Sequence, residues 1–101
     1  MAERPIRKSF DWVITDTEAL FPGEQPRYPG MDRLITFVIR ITYAGEEHDF
    51  MMDGFRYGKH FVWDIGHKQS VAINRLLRWR YKDGGRRPTY EELAPIYEWR
   101  G

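Results

Sequence analysis

Residues 34–43, LITFVIRITY, carry an apolar side chain at every second position. In an extended chain this segment would place on one face Ile35, Phe37, Ile39, Ile41 and Tyr43. The alternation therefore predicts a β-strand. Ala44 and Gly45 then offer a tight turn, and the alternating residues 46–53 predict the returning strand of a β-hairpin.

Two shorter segments carry the same pattern over fewer residues. An extended chain from residue 9 to residue 17 would place on one face Phe10, Trp12 and Ile14. A third strand is therefore expected to join the hairpin as a meander. Residues 60–64 predict either a fourth strand or an ordered loop. Residues 22–30, which are rich in proline and glycine, predict a surface loop.

The pattern changes after residue 67 and indicates the cover of the sheet. At 100° per residue, a helix from Lys68 to Lys82 would have an apolar side formed by Ala72, Ile73, Leu76, Leu77, Trp79 and Tyr81. We therefore predict a main amphipathic helix here, ended by Gly84 and Gly85, with its apolar side on the sheet. Arg80 lies within the apolar arc, so its side chain must reach solvent or meet a carboxylate.

A short second helix is expected near the end of the chain. Thr89 and Glu92 have the spacing of a capping box, and Pro95 predicts a kink or a stop near Ala94. Tyr97 or Trp99 would then pack on the core. The predicted fold class is α+β, an antiparallel three- to four-stranded sheet (meander) packed on one face by one main amphipathic helix plus a short C-terminal helix.

Composition places these elements in one domain, residues 1–101. The absence of cysteine excludes a disulfide framework and thiolate metal sites. The longest strongly apolar run, LITFVI, is far too short to span a membrane, and no signal-peptide pattern is present. We therefore expect a cytoplasmic protein with no membrane partner.

Charge adds a candidate site to this picture. The formal net charge of the chain is only +1, yet residues 68–87 hold seven Lys or Arg residues and one acid. On the predicted helix the exposed side would carry Lys68, Arg75, Arg78 and Lys82, with Arg86 and Arg87 beyond its end. We predict that these six residues bind a partner. Three possibilities remain open for what these residues face: an acidic protein surface, nucleic-acid phosphates or plain solvent.

The residues of the chain give little support for a catalytic function. There is no Cys, neither Ser9 nor Ser70 lies in a nucleophile elbow, and no phosphate-binding loop is present. His60, Asp64 and His67 would share a face only if residues 60–67 were helical, which Gly66 and the β-forming run before it oppose. We expect no enzyme activity, no metal and no cofactor.

Acidic residues collect on one face of the returning strand, at Glu47, Asp49 and Asp53, and Asp11 is expected to lie near them. Carboxylates on an exposed sheet can imitate phosphates. They can also keep the sheet soluble and protect an edge strand from aggregation. Both interpretations stay open at this point.

The order of a long hairpin (ITFVIRITYAGEEHDF), a basic amphipathic helix (QSVAINRLLRWRYK) and a capped TYEEL helix resembles small proteins of phages and mobile elements, including those of anti-CRISPR type. The resemblance covers the C-terminal two thirds and carries over no binding residue. It implies inhibition by binding to a bacterial nuclease complex. The prediction is a non-enzymatic protein-binding module, with a nucleic-acid-binding protein as the alternative.

Overall fold

A computed structural model of the chain describes residues 12–100, with the main chain alone at residues 99 and 100. The fold is α+β, as predicted, but its sheet has six strands instead of three or four. The strands are β1 (Val13–Ile14), β2 (Leu34–Tyr43), β3 (Glu46–Tyr57), β4 (Phe61–Asp64), β5 (Gln69–Ala72) and β6 (Leu76–Tyr81). One α-helix follows them, α1 (Tyr90–Arg100). Every pair is antiparallel, in the order β1-β6-β2-β3-β4-β5.

The predicted hairpin is confirmed. Strands β2 and β3 pair without interruption from Leu34 opposite Phe55 to Tyr43 opposite Glu46. The connecting residues Ala44 and Gly45 have φ values of 54° and 80°, as a two-residue hairpin turn requires. The first six residues of β2 are all buried, which means that both faces of this strand are covered there. A strand buried in this way lies inside a sheet and needs a hydrogen-bonded neighbour on each side.

The predicted main helix is wrong, because residues 68–87 supply that second neighbour. They form β5, a 3-10 turn (Ile73–Arg75), β6 and another 3-10 turn (Asp83–Gly85). Strand β6 pairs with β2, and a register shift between Val38 and Ile39 brings Leu76 opposite Ile39. The shift interrupts the period of two, so Leu76 and Trp79 are both buried although three positions apart. That spacing is also typical of a helix.

The sheet must be strongly curled. Strands β5 and β6 are separated in the sheet by three other strands, so a flat sheet would hold them about 19 Å apart. The four Cα–Cα steps from Ala72 to Leu76 span at most about 14 Å. The curl encloses the larger apolar cluster, formed by Ile35, Phe37, Ile39, Met52, Val62, Val71, Ile73, Leu76 and Trp79. We call the side of the sheet that carries this cluster the core face and the opposite side the outer face.

The other predicted elements are confirmed in part. Residues 61–64 form a strand, and residues 22–30 form a loop without regular structure. Strand β1 exists, but it pairs with β6 and not with the hairpin, so the sheet is not a simple meander. The part of that predicted strand from residue 9 to residue 11 lies outside the described residues.

The loop takes over part of the covering role that the helix was expected to have. Pro29 is buried, and Tyr28 packs against the apolar cluster of the core face. The indole Nε1 of Trp79 donates a hydrogen bond to the Arg27 carbonyl at 2.8 Å. The loop is therefore tied to the sheet across its whole C-terminal part.

Helix α1 begins with the predicted capping box. The Glu92 amide donates to the Thr89 hydroxyl at 3.2 Å, and the Thr89 amide donates to the Glu92 carboxylate at 2.9 Å. Of the predicted kink or stop near Ala94, the stop is wrong, since the helix continues through Pro95. Proline removes one main-chain donor, and the burial of Ile96 against Phe55 and Trp63 on the outer face offsets that loss.

The prediction that Tyr97 or Trp99 packs on the core is corrected for Tyr97 alone. Ile96 makes the contact with the core, whereas Tyr97 is 64% exposed. The side chain of Trp99 lies outside the described residues. Helix α1 covers only the end of the outer face that holds Phe55 and Trp63. No other described helix lies over this face, although Thr36 and Val38 are buried within it, and we call the part beyond α1 the open outer face.

Candidate functional site

The six predicted partner-binding residues do not form one ridge. Lys68 lies in the turn between β4 and β5, and Arg75 lies in the 3-10 turn before β6. Arg78 belongs to β6, and Lys82 follows its last residue. Arg86 and Arg87 lie between the last 3-10 turn and α1. The two that share the open outer face are Arg78 and Lys82, and Arg80 lies between them.

Period-two alternation along β6 places these three cations on one face. Arg78 lies opposite Val38 and Arg80 lies opposite Thr36, both outer-face residues of β2. The guanidinium carbons of Arg78 and Arg80 lie 5.2 and 4.5 Å from the centre of the Trp12 ring. Within the described part of the chain, no carboxylate forms an ion pair with either arginine. Arg80 thus meets an indole, where a carboxylate or solvent was expected.

Lys82 is bound to a carboxylate of the neighbouring hairpin. Its ammonium group forms a short ion pair with Asp53, which also accepts a hydrogen bond from the Thr36 hydroxyl at 2.8 Å. The hydrogen bond and the charge of Asp53 raise the pKa of Lys82. Partial burial works to raise the pKa of Asp53, but the hydrogen bonds from Lys82 and Thr36 outweigh it, and the pKa is lowered. Both groups are therefore charged at neutral pH.

Arg40 joins the same face from β2. Its guanidinium donates to Asp49 at 2.9 Å, and this hydrogen bond raises the pKa of Arg40 and lowers that of Asp49. Arg75 donates to the Arg40 carbonyl at 3.2 Å. Arg40 was not among the predicted site residues. Its position in the alternation of residues 34–43 already placed it on the outer face, but only the pairing of β2 with β6 brings it next to the other cations.

The open outer face combines the two signs of charge in adjacent columns. Cations come from β6 and from Arg40, and carboxylates come from β3 at Glu47, Asp49 and Asp53. The cations of β6 lie about 10 Å from the carboxylates of β3, with β2 between them, whereas Arg40 of β2 lies directly opposite Asp49. Between the columns is an open depression of about 800 Å³, and its lining includes Thr36, Met51, Asp53, Arg80 and Lys82.

Arg86 has a local role in the fold. Its guanidinium binds both carboxylate oxygens of Glu92, at 3.0 and 3.2 Å, and lies 3.6 Å from Asp83. The hydrogen bonds from Arg86 and from the Thr89 amide lower the pKa of Glu92 to about 2. Arg86 thus fixes the start of α1 to the preceding turn. Lys68 and Arg87 are exposed, and both lie outside the strands that form the sheet.

The residues considered for a metal serve a turn. Asp64 is only 1% exposed and accepts hydrogen bonds from the His67 ring Nδ1 at 2.7 Å, the His67 amide at 3.2 Å and the Gln69 side chain at 3.2 Å. These contacts organise the connection between β4 and β5. Across residues 12–98, no three side chains of His, Cys, Asp or Glu are grouped so that they could hold a metal ion.

No protein-family model, no curated protein and no solved structure matches the chain. Within the described residues, no helix has the length and apolar character that crossing a membrane requires.

Proposed function

We propose that the protein is a non-enzymatic binding protein that docks on a partner protein through the open outer face. The observation that carries this proposal is the pair Arg78 and Arg80, which lie on Trp12 with no carboxylate partner among the described residues. Arginine and tryptophan are enriched among the residues that dominate protein interfaces. The depression beside them adds the thioether of Met51, an adaptable apolar contact.

The mixed charge of the face favours a protein over a nucleic acid as the partner. A phosphate backbone crossing Arg78 and Arg80 would approach the carboxylates of β3, and each charge there opposes it. Asp53 already neutralises Lys82, and Asp49 already neutralises Arg40. A protein surface can present acids to the first column and bases to the second.

Nucleic-acid binding is the second candidate function. Single strands bind to a row of cations beside an accessible aromatic ring, with phosphates on the cations and bases stacked on the ring, and the half-buried Trp12 supplies part of such a ring. Arg78, Arg80 and Trp12 offer it on the β6 side of the face.

A narrower form of the main proposal is a cytoplasmic inhibitor that blocks a bacterial nuclease complex. It rests on the resemblance in the order of elements. The basic segment of that resemblance is present, but as strands and turns in place of a helix. Adding the purified protein to a cleavage assay of an RNA-guided nuclease complex tests it directly, since an inhibitor of this kind abolishes cleavage at stoichiometric amounts.

Two labelled probes test the docking face: a dodecapeptide of glutamate and leucine, and a dodecamer of deoxythymidine. We expect the acidic peptide to bind, and the variant carrying both Arg78→Gln and Arg80→Gln to bind it at least about tenfold more weakly. The matched control carries Lys68→Gln and Arg87→Gln, which remove the same charge elsewhere and should leave the affinity nearly unchanged.

The same titrations separate the two functions. Three results together would establish the nucleic-acid function instead. The oligonucleotide would bind more tightly than the peptide, the Arg78 and Arg80 variant would lose this binding, and the binding would weaken steeply between about 50 and 200 mM salt. Equal losses in the variant and in its control would reject the face altogether. Circular dichroism of each variant checks that the fold is retained.

A further inference from the structure

Among the described residues, no strand pairs with the outward edge of β3 from Glu46 to Met52. It pairs with β4 only from Gly54 to Tyr57, whereas its pairing with β2 extends to Glu46. On the side away from β2, no strand of the described chain lies beside β3 before Gly54. The unpaired stretch is therefore longer than β4 itself.

The register identifies which main-chain groups this edge offers. Across a two-residue turn, Tyr43 and Glu46 exchange hydrogen bonds, so every second residue of β3 from Glu46 onwards faces β2. The intervening residues face away from β2, as the Ile65 amide confirms by donating to the Asp53 carbonyl at 3.1 Å. Before Asp53, the outward-facing residues are Glu47, Asp49 and Met51. Each offers one N–H and one C=O group at an exposed edge.

A depression marks the point where β4 ends and the free edge begins. It has a volume of about 320 Å³, and its lining includes Met51, Asp53 and the turn residues Ile65, Gly66 and His67. A strand placed along the edge would run in line with β4 and begin in this depression. The existing sheet thus already provides one end of the site.

The side chains along the edge define the chemistry of such a strand. On the outer face they are the carboxylates of Glu47 and Asp49 and the thioether of Met51, which is 63% exposed. On the opposite side, His48 and Phe50 form a tilted ring pair with centres 6.3 Å apart, and Phe50 is 43% exposed. One side of an added strand would therefore meet acids, and the other would meet aromatic rings.

We propose that this edge binds an extended segment of a partner protein in which basic and apolar residues alternate. The segment continues the sheet by hydrogen-bonding to Glu47, Asp49 and Met51. Its Lys or Arg side chains lie beside the carboxylates, and its apolar side chains lie on His48 and Phe50. Two copies of this chain would not pair here, because each would bring Glu47 and Asp49 against the same acids of the other. The site shares Met51 and the carboxylates of β3 with the proposed docking face, but it rests on the main-chain edge and not on Arg78 and Arg80, so either proposal can fail without the other.

An acetylated and amidated heptapeptide that alternates lysine and valine is the probe. We expect it to bind, and to slow hydrogen exchange at the amides of Glu47, Asp49 and Met51 in a nuclear magnetic resonance titration. A heptapeptide that alternates glutamate and valine should bind at least about tenfold more weakly, since its charges repel those of the edge. No binding of the lysine peptide at millimolar concentration, or equal binding of both peptides, would overturn the proposal.

A proline variant tests the edge itself. Met51→Pro removes an outward N–H and leaves the ladder between β2 and β3 intact, so binding of the lysine peptide should fall at least about tenfold. The matched control is Thr42→Pro, which removes an outward N–H from the β2 side of the same hairpin and should change the affinity less than about twofold. A lysine peptide N-methylated on alternate residues tests the same bond without altering the protein, and undiminished binding of that peptide would contradict the proposal.

Discussion

The two halves of the β2–β3 hairpin have the same backbone pairing and opposite surroundings. In the inner half, residues 34–39 with residues 52–57, β2 pairs with β6, β3 pairs with β4, and α1 packs on the outer face. The outer half consists of residues 40–43 with residues 46–51. Strand β6 pairs with β2 only as far as Ile39, and β4 pairs with β3 only from Gly54 onwards, so neither strand reaches the outer half. Its side chains are exposed or half-buried, including Tyr43, Phe50 and Met51.

This difference assigns stability to one half of the hairpin and binding to the other. A two-stranded ribbon by itself is only marginally stable in water, so the outer half relies on the inner half to hold it in place. The exposed edge and side chains of the outer half contribute little to the core. Changes in the inner half should therefore unfold the protein, and changes in the outer half should alter its contacts alone.

The largest effect is expected at Gly54, where β3 passes closest to β4. A Cβ atom at this position would lie 1.7 Å from the main-chain oxygen of Trp63, so the two strands would have to separate. We expect Gly54→Ala to lower the free energy of unfolding by more than about 4 kcal/mol or to prevent folding. Urea denaturation measures this, with Gly66→Ala as a glycine control, because an added Cβ there would meet no atom closer than 3.7 Å. A stable Gly54→Ala protein would show that the strands are not in this contact.

Two isoleucines on the same face of β2 test the boundary between the halves. Ile39, which is 2% exposed and lies opposite Leu76, belongs to the inner half, and the half-buried Ile41 belongs to the outer half. Ile39→Ala should cost about 2 to 5 kcal/mol of unfolding free energy, and Ile41→Ala about 1 kcal/mol or less. Equal costs, measured by denaturation under one set of conditions, would remove the boundary.

Acid should weaken the cover that α1 provides to the inner half. The hydrogen bonds from Arg86 and from the Thr89 amide lower the pKa of Glu92 from 4.5 to about 2 in the folded protein. Because the folded pKa is depressed, the stabilisation is fully present above about pH 4.5 and is lost as the pH falls through 2. Its size should be on the order of 1 to 2 kcal/mol.

The matched variant for this pH dependence is Glu92→Gln. It keeps the shape of the side chain and removes the titrating group, so thermal denaturation between pH 2 and pH 6 should show a smaller loss of stability in the variant than in the natural sequence. Identical pH profiles would mean that Glu92 does not hold α1 in place.

The smallest effect is expected at the tip of the hairpin. Tyr43 is 69% exposed and contacts the ring of His48 at its edge, with ring centres 6.1 Å apart. Tyr43→Ser should change the free energy of unfolding by less than about 0.5 kcal/mol. A cost above about 1.5 kcal/mol in urea denaturation would place Tyr43 in a packed environment that the outer half does not have.

The parts of the fold that the sequence predicts correctly depend on neighbouring residues. The turn at Ala44 and Gly45, the alternation in β2 and the capping box from Thr89 to Glu92 are all set within a few positions of the chain. The loop at residues 22–30 belongs to the same group, because proline and glycine limit its backbone locally.

The elements that could not be predicted depend on distant contacts. Leu76 and Trp79 have a spacing that fits a helix, and only the register shift opposite Val38 and Ile39 makes that spacing compatible with a strand. One signal for the strand was present in the sequence. The apolar run LITFVI, interrupted only by Thr36, is typical of a strand buried on both faces. Such a strand requires a second neighbour that the hairpin alone does not supply.

The candidate site was predictable only in its composition. The cationic character of residues 68–87 is a property of the sequence, but the ion pair of Lys82 with Asp53 and the contact of Arg80 with Trp12 each join residues far apart in the chain. The unpaired edge of β3 depends on where β4 ends, which alternation does not reveal.

Hydrogen exchange of the free protein tests the division of the hairpin most directly. The Met52 amide faces β2 within the inner half, and we expect it to exchange only as fast as the whole protein unfolds. The amides of Glu47, Asp49 and Met51 face outward and should exchange within about tenfold of an unstructured peptide. Protection of these three amides equal to that of Met52 would mean that the edge is already covered, and it would contradict both the division and the binding edge.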